Sequence, residues 1–323
     1  MTDAFTDKIA AYRREIDRDL AQLNLPAYPE GLYDPMRYSV GAPGKRIRPL
    51  LTFLMGEGLG VPHQRLRPAA LAVEILHAFT LVHDDIMDND TKRRGLDTVH
   101  VKWNVNTAIL SGDGLMALAF RQLMESKATR IRRMGLEFSQ AMLEICEGQA
   151  LDIAFEKRLD VTTTEYLEMV GKKTGRLLGL ACQLAALIAD AEPEMVDSLN
   201  RFGIELGQAF QIQDDLLEIS SDAEKMGKSL DSDIVSGKKT YPLLLMLTDM
   251  TKSEKVSFLD FMKANLTNRP GILEAFQQKE IINRTTDTIS QMLEKALRRL
   301  AELPAQAAAD LTYLVEMISK RQR

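Results

Sequence analysis

Two acidic clusters sit 130 residues apart in this chain, Asp84-Asp85-Ile86-Met87-Asp88 and Asp214-Asp215-Leu216-Leu217-Glu218. Each places carboxylates at i, i+1 and i+4, and each interrupts a run that otherwise reads as buried helix. At about 100° per residue, Asp84 and Asp88 lie one above the other, about 40° apart around the helix axis. Like charges at that spacing repel, and burying them without partners is unfavourable. No Lys or Arg lies within the first cluster. A hard divalent cation would neutralise it, and Mg²⁺ typically takes one or two carboxylates while phosphate oxygens complete its shell. Two such clusters facing one another would clamp a metal-bound diphosphate.

Other residues suit the same chemistry. His77 precedes Asp84 by seven residues, two turns away and within about 20° of the same face. A lone histidine on an apolar helix is usually a satisfied core residue, but this alignment makes a functional role equally open. His83 points elsewhere and reads as structural. Arg93 and Arg94 follow the first cluster. They read either as a solvated pair or as guanidinium forks suited to bidentate phosphate recognition. Gly44-Lys45-Arg46-Ile47-Arg48 is a second basic segment beside a flexible glycine. Residues 220–240, SSDAEKMGKSLDSDIVSGKKT, are polar and carry two glycines and four lysines. They read as a solvated connection or as a lid that brings cations over bound phosphate.

These groups must be positioned by helices. Helical periodicity covers residues 4–24, 68–88, 105–126, 131–158 and 194–219, with one or two helices over 163–190. The 68–88 helix is apolar on nearly every face and is therefore expected at the centre. Asn89 to Gly95 reads as a polar connection, and no Asn-Gly or Asp-Gly hairpin flanked by β-branched runs is present. No low-complexity linker divides the chain, so residues 1–323 are expected to form one all-α domain, a helical bundle around a central cavity. With 323 residues, 45% hydrophobic and 27% charged, the composition is that of a soluble globular protein. A net charge of −5 argues against general nucleic-acid binding. No apolar stretch suggests a membrane span or anchor, and the N-terminal segment lacks a signal-peptide core. Cys146 and Cys182 are expected as buried free thiols in a reducing cytoplasm.

The combination of HDDIMDNDTKRRG, APGKRIRPLL and FQIQDDLLEI resembles the trans-isoprenyl diphosphate synthases (polyprenyl synthetases). Further matches are EGQALDI around Gln149 and Asp152, GKKTGRLL around Lys173 and Thr174, and GKSLDSDIVSGKKTYPLL. The resemblance spans roughly residues 40–245. It implies an all-α isoprenoid-synthase fold, a homodimer, and Mg²⁺ as cofactor with three ions per site. Asp84, Asp85 and Asp88 match metal positions of one wall, and Asp214, Asp215 and Glu218 match those of the other. Lys45, Arg48, His77 and Arg94 match positions that hold isopentenyl diphosphate. Arg93, Lys173, Thr174, Gln211, Lys228 and Lys238 match positions around the allylic diphosphate; of these, Lys173, Thr174 and Gln211 count with Asp84, Asp88 and Asp214 as catalytic. Two departures stand out. Pro43 replaces the first glycine of the usual Gly-Gly-Lys, and Glu218 closes the second motif where aspartate is usual.

The mechanism implied is ionisation of an allylic diphosphate, attack by the isopentenyl double bond, and loss of a proton. Charge on the departing diphosphate must be neutralised, and an apolar, water-free tunnel must protect the cation. Phe79 lies five residues before Asp84, about 7.5 Å deeper along the helix. It is either ordinary core or, with Thr80, the floor of the tunnel. In the family an aromatic there favours shorter products, so geranylgeranyl or farnesyl diphosphate is expected, geranylgeranyl ahead; a longer-chain synthase is the alternative. A class I terpene cyclase would not need Lys45, Arg48 and Arg94. A silent regulatory subunit would be expected to lose its acidic clusters, and a helical scaffold would not explain carboxylates capping the most apolar helices.

Overall fold

The computed structural model describes residues 2–220, 237–265 and 269–320. The fold is all-α: apart from one two-residue strand pair, every regular element among the described residues is helical. In chain order the first are α1 (Thr2–Ala21), α2 (Glu30–Gly41), α3 (Ile47–Gly58) and α4 (His63–Met87). Strands β1 (Lys92–Arg93) and β2 (Leu96–Asp97) follow, then α5 (Val99–Lys102), α6 (Val105–Met124), α7 (Ile131–Glu156) and α8 (Thr163–Val170). A single π-helical turn, Gly171–Gly175, leads into α9 (Arg176–Ile188) and α10 (Pro193–Ser220). The remainder comprises α11 (Tyr241–Leu247), α12 (Lys252–Ala264), α13 (Arg269–Gln278), α14 (Ile281–Arg298) and α15 (Ala305–Lys320). The expected helices are all present, with ends shifted by a few residues. The expected lid falls mainly on residues 221–236 and, with Lys228, lies outside the described residues.

Local chemistry fixes several of these starts. The Asn104 side chain accepts the Thr107 N–H to cap α6. Thr162 with Glu165, and Thr251 with Glu254, form reciprocal capping boxes on α8 and α12. The segment expected as a plain connection after α4 is instead a tight antiparallel hairpin, with Arg93 opposite Leu96. Its two turn residues, Arg94 and Gly95, have φ of 52° and 80°. A two-residue turn with both φ positive matches the right-handed twist of the strands it joins.

The chain divides into two compact units, each with its own core. The first comprises residues 1–139, 180–200 and 301–312, and the second comprises residues 140–179, 201–300 and 313–323. In the first, Leu66, Ala69, Ala72, Val73, Ile75 and Leu76 bury nearly every face of α4 among Leu50, Leu51 and Met55 of α3 and Leu115 and Leu123 of α6. Each fully buried large side chain stabilises the fold by about 1.5–3 kcal/mol. In the second unit Tyr166, Met169 and Val170 of α8 pack with Ile212 of α10 and Tyr241 and Leu244 of α11. Cys182 is buried as expected, and burial pushes its thiol up to about 12. Cys146 is exposed instead. It shares an outward face of α7 with Leu143 and Ala150, one turn either side.

Charge also ties the first unit together. Arg46 caps α3 with a φ of 52° and is buried, bonding Glu74 and Asp17 at 2.8 Å each and the carbonyls of Val40 and Ala42. A second cluster joins α1, α3 and α4. Glu57 accepts from Tyr12 at 2.5 Å and pairs with His63 Nδ1 at 2.7 Å and Lys8 at 3.1 Å. Lys8 also approaches Asp310 of α15 at 3.7 Å. His63 Nε2 lies 3.2 Å from Glu15 but without hydrogen-bond alignment, so charge alone holds that pair. The His63 ring stacks on Phe53 at 4.0 Å. Burial favours the neutral carboxyl of Glu57, yet bonds from His63, Tyr12 and Lys8 outweigh it and hold the carboxyl near about 2. The Glu57 bond, aided by Glu15 and opposed by burial, raises His63 above its ordinary value.

Two predictions follow from these clusters. Glu74→Leu strands the buried Arg46 charge; with Asp17 remaining as partner, denaturant unfolding should show a loss of about 3 kcal/mol. A raised histidine contributes stability that is complete below the unfolded value of about 6.5 and disappears as pH climbs through the folded one. His63→Gln should therefore depress Tm most at about pH 6 and progressively less toward about pH 9. A deficit constant over that range would exclude the ionic contribution.

Candidate active site

The C-terminal end of α4 carries the first acidic cluster. Asp84 is half-buried, Asp85 buried and Asp88 exposed, and the Asp88 N–H closes the helix on the Asp84 carbonyl at 2.8 Å. Asp85, expected in a supporting metal role, accepts Arg93 Nε at 2.5 Å, and the same guanidinium bonds Asp90 at 3.1 Å. The hairpin thus returns a cation to a cluster whose own sequence contains none. Arg93, expected at the allylic diphosphate, is engaged with these two carboxylates, and Asp85 serves to anchor the hairpin.

The other arginine of the hairpin turns to a different partner. Arg94 Nη1 donates to the Pro43 carbonyl at 2.5 Å. Gly44 permits that approach, because a Cβ there would lie 2.7 Å from Arg94 Nη1. The proline at position 43 is compatible with this contact, since a backbone carbonyl is all that Arg94 uses. Arg48 Nε is buried without a hydrogen-bond partner among the described residues. Burial, with Arg94 nearby and Glu74 opposing, lowers the Arg48 guanidinium to about 10. Burial and the charges of Arg48, Arg94, Arg93 and Arg46 hold His77 well below the ordinary histidine range. His77 is therefore a neutral ring amid four guanidinium groups. Arg46, the central residue of the basic segment, is committed to Glu74, whereas Lys45 is exposed. The basic segment thus splits into one structural arginine and two cations without a salt bridge among the described residues.

Phe79, expected at the tunnel floor, is 8% exposed, with its ring edge-on to His83 at 4.9 Å. His83 is keyed to α6, where Nε2 lies 3.2 Å from the Ile109 carbonyl and an added Cβ at Gly112 would come within 2.2 Å. Thr80 folds its hydroxyl back onto the His77 carbonyl at 2.9 Å.

In the second unit the π turn widens the helix where Lys173 and Thr174 leave it. It sits tightly on its neighbours: an added Cβ at Gly148 would lie 2.4 Å from the Lys173 backbone nitrogen, and one at Gly207 2.5 Å from Gly175 Cα. Lys173 Nζ reaches Asp152 at 2.6 Å. Thr174 donates to Gln211 Oε1 at 3.2 Å, and Gln211 Nε2 donates to Asp215 at 3.1 Å. Asp215, expected as a metal residue, is buried and also accepts from Tyr166 Oη at 2.5 Å and from the Tyr241 N–H at 2.9 Å. Burial raises its carboxyl, opposed by these three donors and by Lys238. Asp214 is exposed and Glu218 half-buried, one turn apart on α10. Lys238 directly precedes Lys239, whose buried ammonium donates to the carbonyls of Glu156 at 3.1 Å and Gly237 at 2.6 Å.

Sequence reasoning missed Glu74, Tyr166 and Tyr241. A glutamate in the middle of an otherwise apolar α4 was the available signal for the first. The tyrosines fall on ordinary core spacing and gave none.

Among the described residues, no three His, Cys, Asp or Glu side chains gather closely enough to hold a metal by themselves. No helix among them is long and apolar enough to cross a membrane. The sequence profile of polyprenyl synthetase matches residues 29–279. The chain is 40% identical to a geranylgeranyl diphosphate synthase of Methanosarcina mazei over 268 residues, 82% of each chain. It is 40% identical to a geranylfarnesyl diphosphate synthase of Natronomonas pharaonis over 260 residues, 74% of this chain and 76% of that one. The crystal structure of geranylgeranyl pyrophosphate synthetase from Pyrococcus horikoshii superposes with a TM-score of 0.91 at 33% identity, covering 99% of both chains. Matched by that profile over most of its length and 40% identical to such a relative over 82% of its residues, this chain belongs to the polyprenyl synthetase family of prenyltransferases.

Proposed function

We propose that the chain condenses isopentenyl diphosphate head to tail with an allylic diphosphate, and that geranylgeranyl diphosphate is its main product. The observation that carries the reading is the neutral His77 amid arginines, with Arg48 Nε buried and unpartnered. Like-charged guanidinium groups brought together without matching carboxylates favour a bound polyanion. Arg48, Arg94 and the exposed Lys45 supply charge for the isopentenyl diphosphate, and neutral His77 supplies a ring N–H.

Asp84, Asp88, Asp214 and Glu218 are the carboxylates we assign to Mg²⁺. Each pair offers only oxygen donors, which suit a hard cation. The lack of a closed cage among the described residues accords with an ion that also needs diphosphate oxygens. When bound, the metal neutralises charge on the leaving diphosphate. Lys173 and Lys238 are the further cations we assign to the same group, and Asp152 holds the Lys173 ammonium in place at 2.6 Å. Gln211, fixed at both ends of its amide by Thr174 and Asp215, presents a preorganised dipole. Arg93 acts through Asp85. The apolar length of α4 excludes water from the cation.

The Phe79 ring, braced by His83, supports a short product, as do the relatives named geranylgeranyl diphosphate synthase. A longer product is the second reading, favoured by the Natronomonas pharaonis relative named geranylfarnesyl diphosphate synthase. Val105, Ile109, Leu110, Phe120 and Met124 leave apolar surface exposed along α6; we assign that surface to a second copy of the chain.

Incubation with isopentenyl diphosphate, Mg²⁺ and dimethylallyl, geranyl or farnesyl diphosphate should yield prenyl diphosphates identifiable by mass spectrometry, and chelation should stop turnover. Asp84→Ala and Asp214→Ala should each lower kcat by at least about 10²–10³, the scale of losing charge stabilisation in the transition state, with unchanged circular dichroism. Near-normal rates in either would remove that residue from the metal set. Phe79→Ala should shift the products to longer chains; an unaltered distribution would exclude Phe79 as the floor.

A further inference from the structure

Asp215 lies at the meeting point of three elements. Its Oδ2 takes the Tyr166 hydroxyl of α8 at 2.5 Å and the Tyr241 N–H at the start of α11 at 2.9 Å. Its Oδ1 takes Gln211, one turn earlier on α10, at 3.1 Å. Asp215 and Tyr166 are buried, so these bonds form where an unmade one is most unfavourable. Asp214 is covalently next to this point. Lys238 is three residues before Tyr241, in a segment pinned on its other side by Lys239 bonding the Glu156 and Gly237 carbonyls.

We propose that Tyr166 is a positioning residue: through Asp215 it locks the acidic end of α10 to the backbone at Tyr241, and so sets where Asp214 and Lys238 meet the metal-bound diphosphate. Asp215 then serves as a clasp and not as a ligand. The proposal rests on the assignment of Asp214 and Lys238 given above. Its consequence is selective. Loosening the clasp weakens metal-dependent diphosphate binding and spares the arginine cluster around His77, which shares no bond with Tyr166.

The test uses Tyr166→Phe, which removes one oxygen and keeps the ring that packs with Tyr241. Calorimetric titration with inorganic diphosphate, with and without Mg²⁺, separates the two components without turnover. The Mg²⁺-dependent Kd should rise about tenfold, the equivalent of one hydrogen bond to a charged group, and metal-free binding should stay within about twofold. In the assay, KM for the allylic diphosphate and half-saturating Mg²⁺ should rise in step while KM for isopentenyl diphosphate holds. A variant with unchanged Mg²⁺-dependent binding, or one weakened equally in both components, would overturn the proposal. Asp215→Asn is the second variant, since it still offers an oxygen to Tyr166 and Tyr241. Metal-dependent binding within about tenfold of wild type supports the clasp, and a loss as deep as that of Asp214→Asn makes Asp215 a ligand and sinks it. Wild-type protein that binds Mg²⁺ and diphosphate but forms no prenyl product would instead refute the proposed function alone.

Discussion

Like charges gathered at the ends of apolar helices are the constraint around which this molecule is arranged. Carboxylates one turn apart repel, and guanidinium groups sharing a pocket do the same. Neither arrangement persists without compensation. At each acidic cluster the second aspartate bonds the framework, Asp85 through Arg93 and Asp215 through three donors. These internal partners hold the backbone on which Asp84, Asp88, Asp214 and Glu218 are carried. One residue of each doubled aspartate is tied to distant elements, and its neighbour is the one we assign to the metal.

The arginines divide in the same manner. Arg46 is matched by Glu74 and Asp17 and joins α3 to α4 and α1. Among the described residues no salt bridge joins Arg48 or Arg94 to a carboxylate, and burial together with the surrounding arginines holds His77 below the ordinary histidine range. A segment that is simply basic in sequence becomes a structural joint at Arg46 beside the cations we assign to a diphosphate.

Close backbone approach supports both arrangements. Gly44 admits the Arg94 guanidinium, Gly112 admits the His83 ring, and the glycines around the π turn let α10 lie against it. A π turn is a strained departure from helical geometry, often found where function requires a displaced side chain. Here it carries Lys173 and Thr174 out toward Asp152 and Gln211.

Much of this was determined by the sequence alone. Periodicity located the helices, since a 3.6-residue repeat and its caps are local properties. Paired aspartates at helix ends pointed to a metal and a diphosphate because no other local reading satisfied their charge. Tertiary structure decided which member of each pair does what. Arg93 finds Asp85 only because Arg94 and Gly95 adopt positive φ in a two-residue turn, and Arg-Gly is not a sequence that announces a hairpin. Tyr166 meets Asp215 across 49 residues of chain, and Glu74 meets Arg46 across 28. Pairings of that range depend on how helices pack, and no spacing within either segment encodes them. Residue type set the chemistry available; long-range packing set which groups hold the framework.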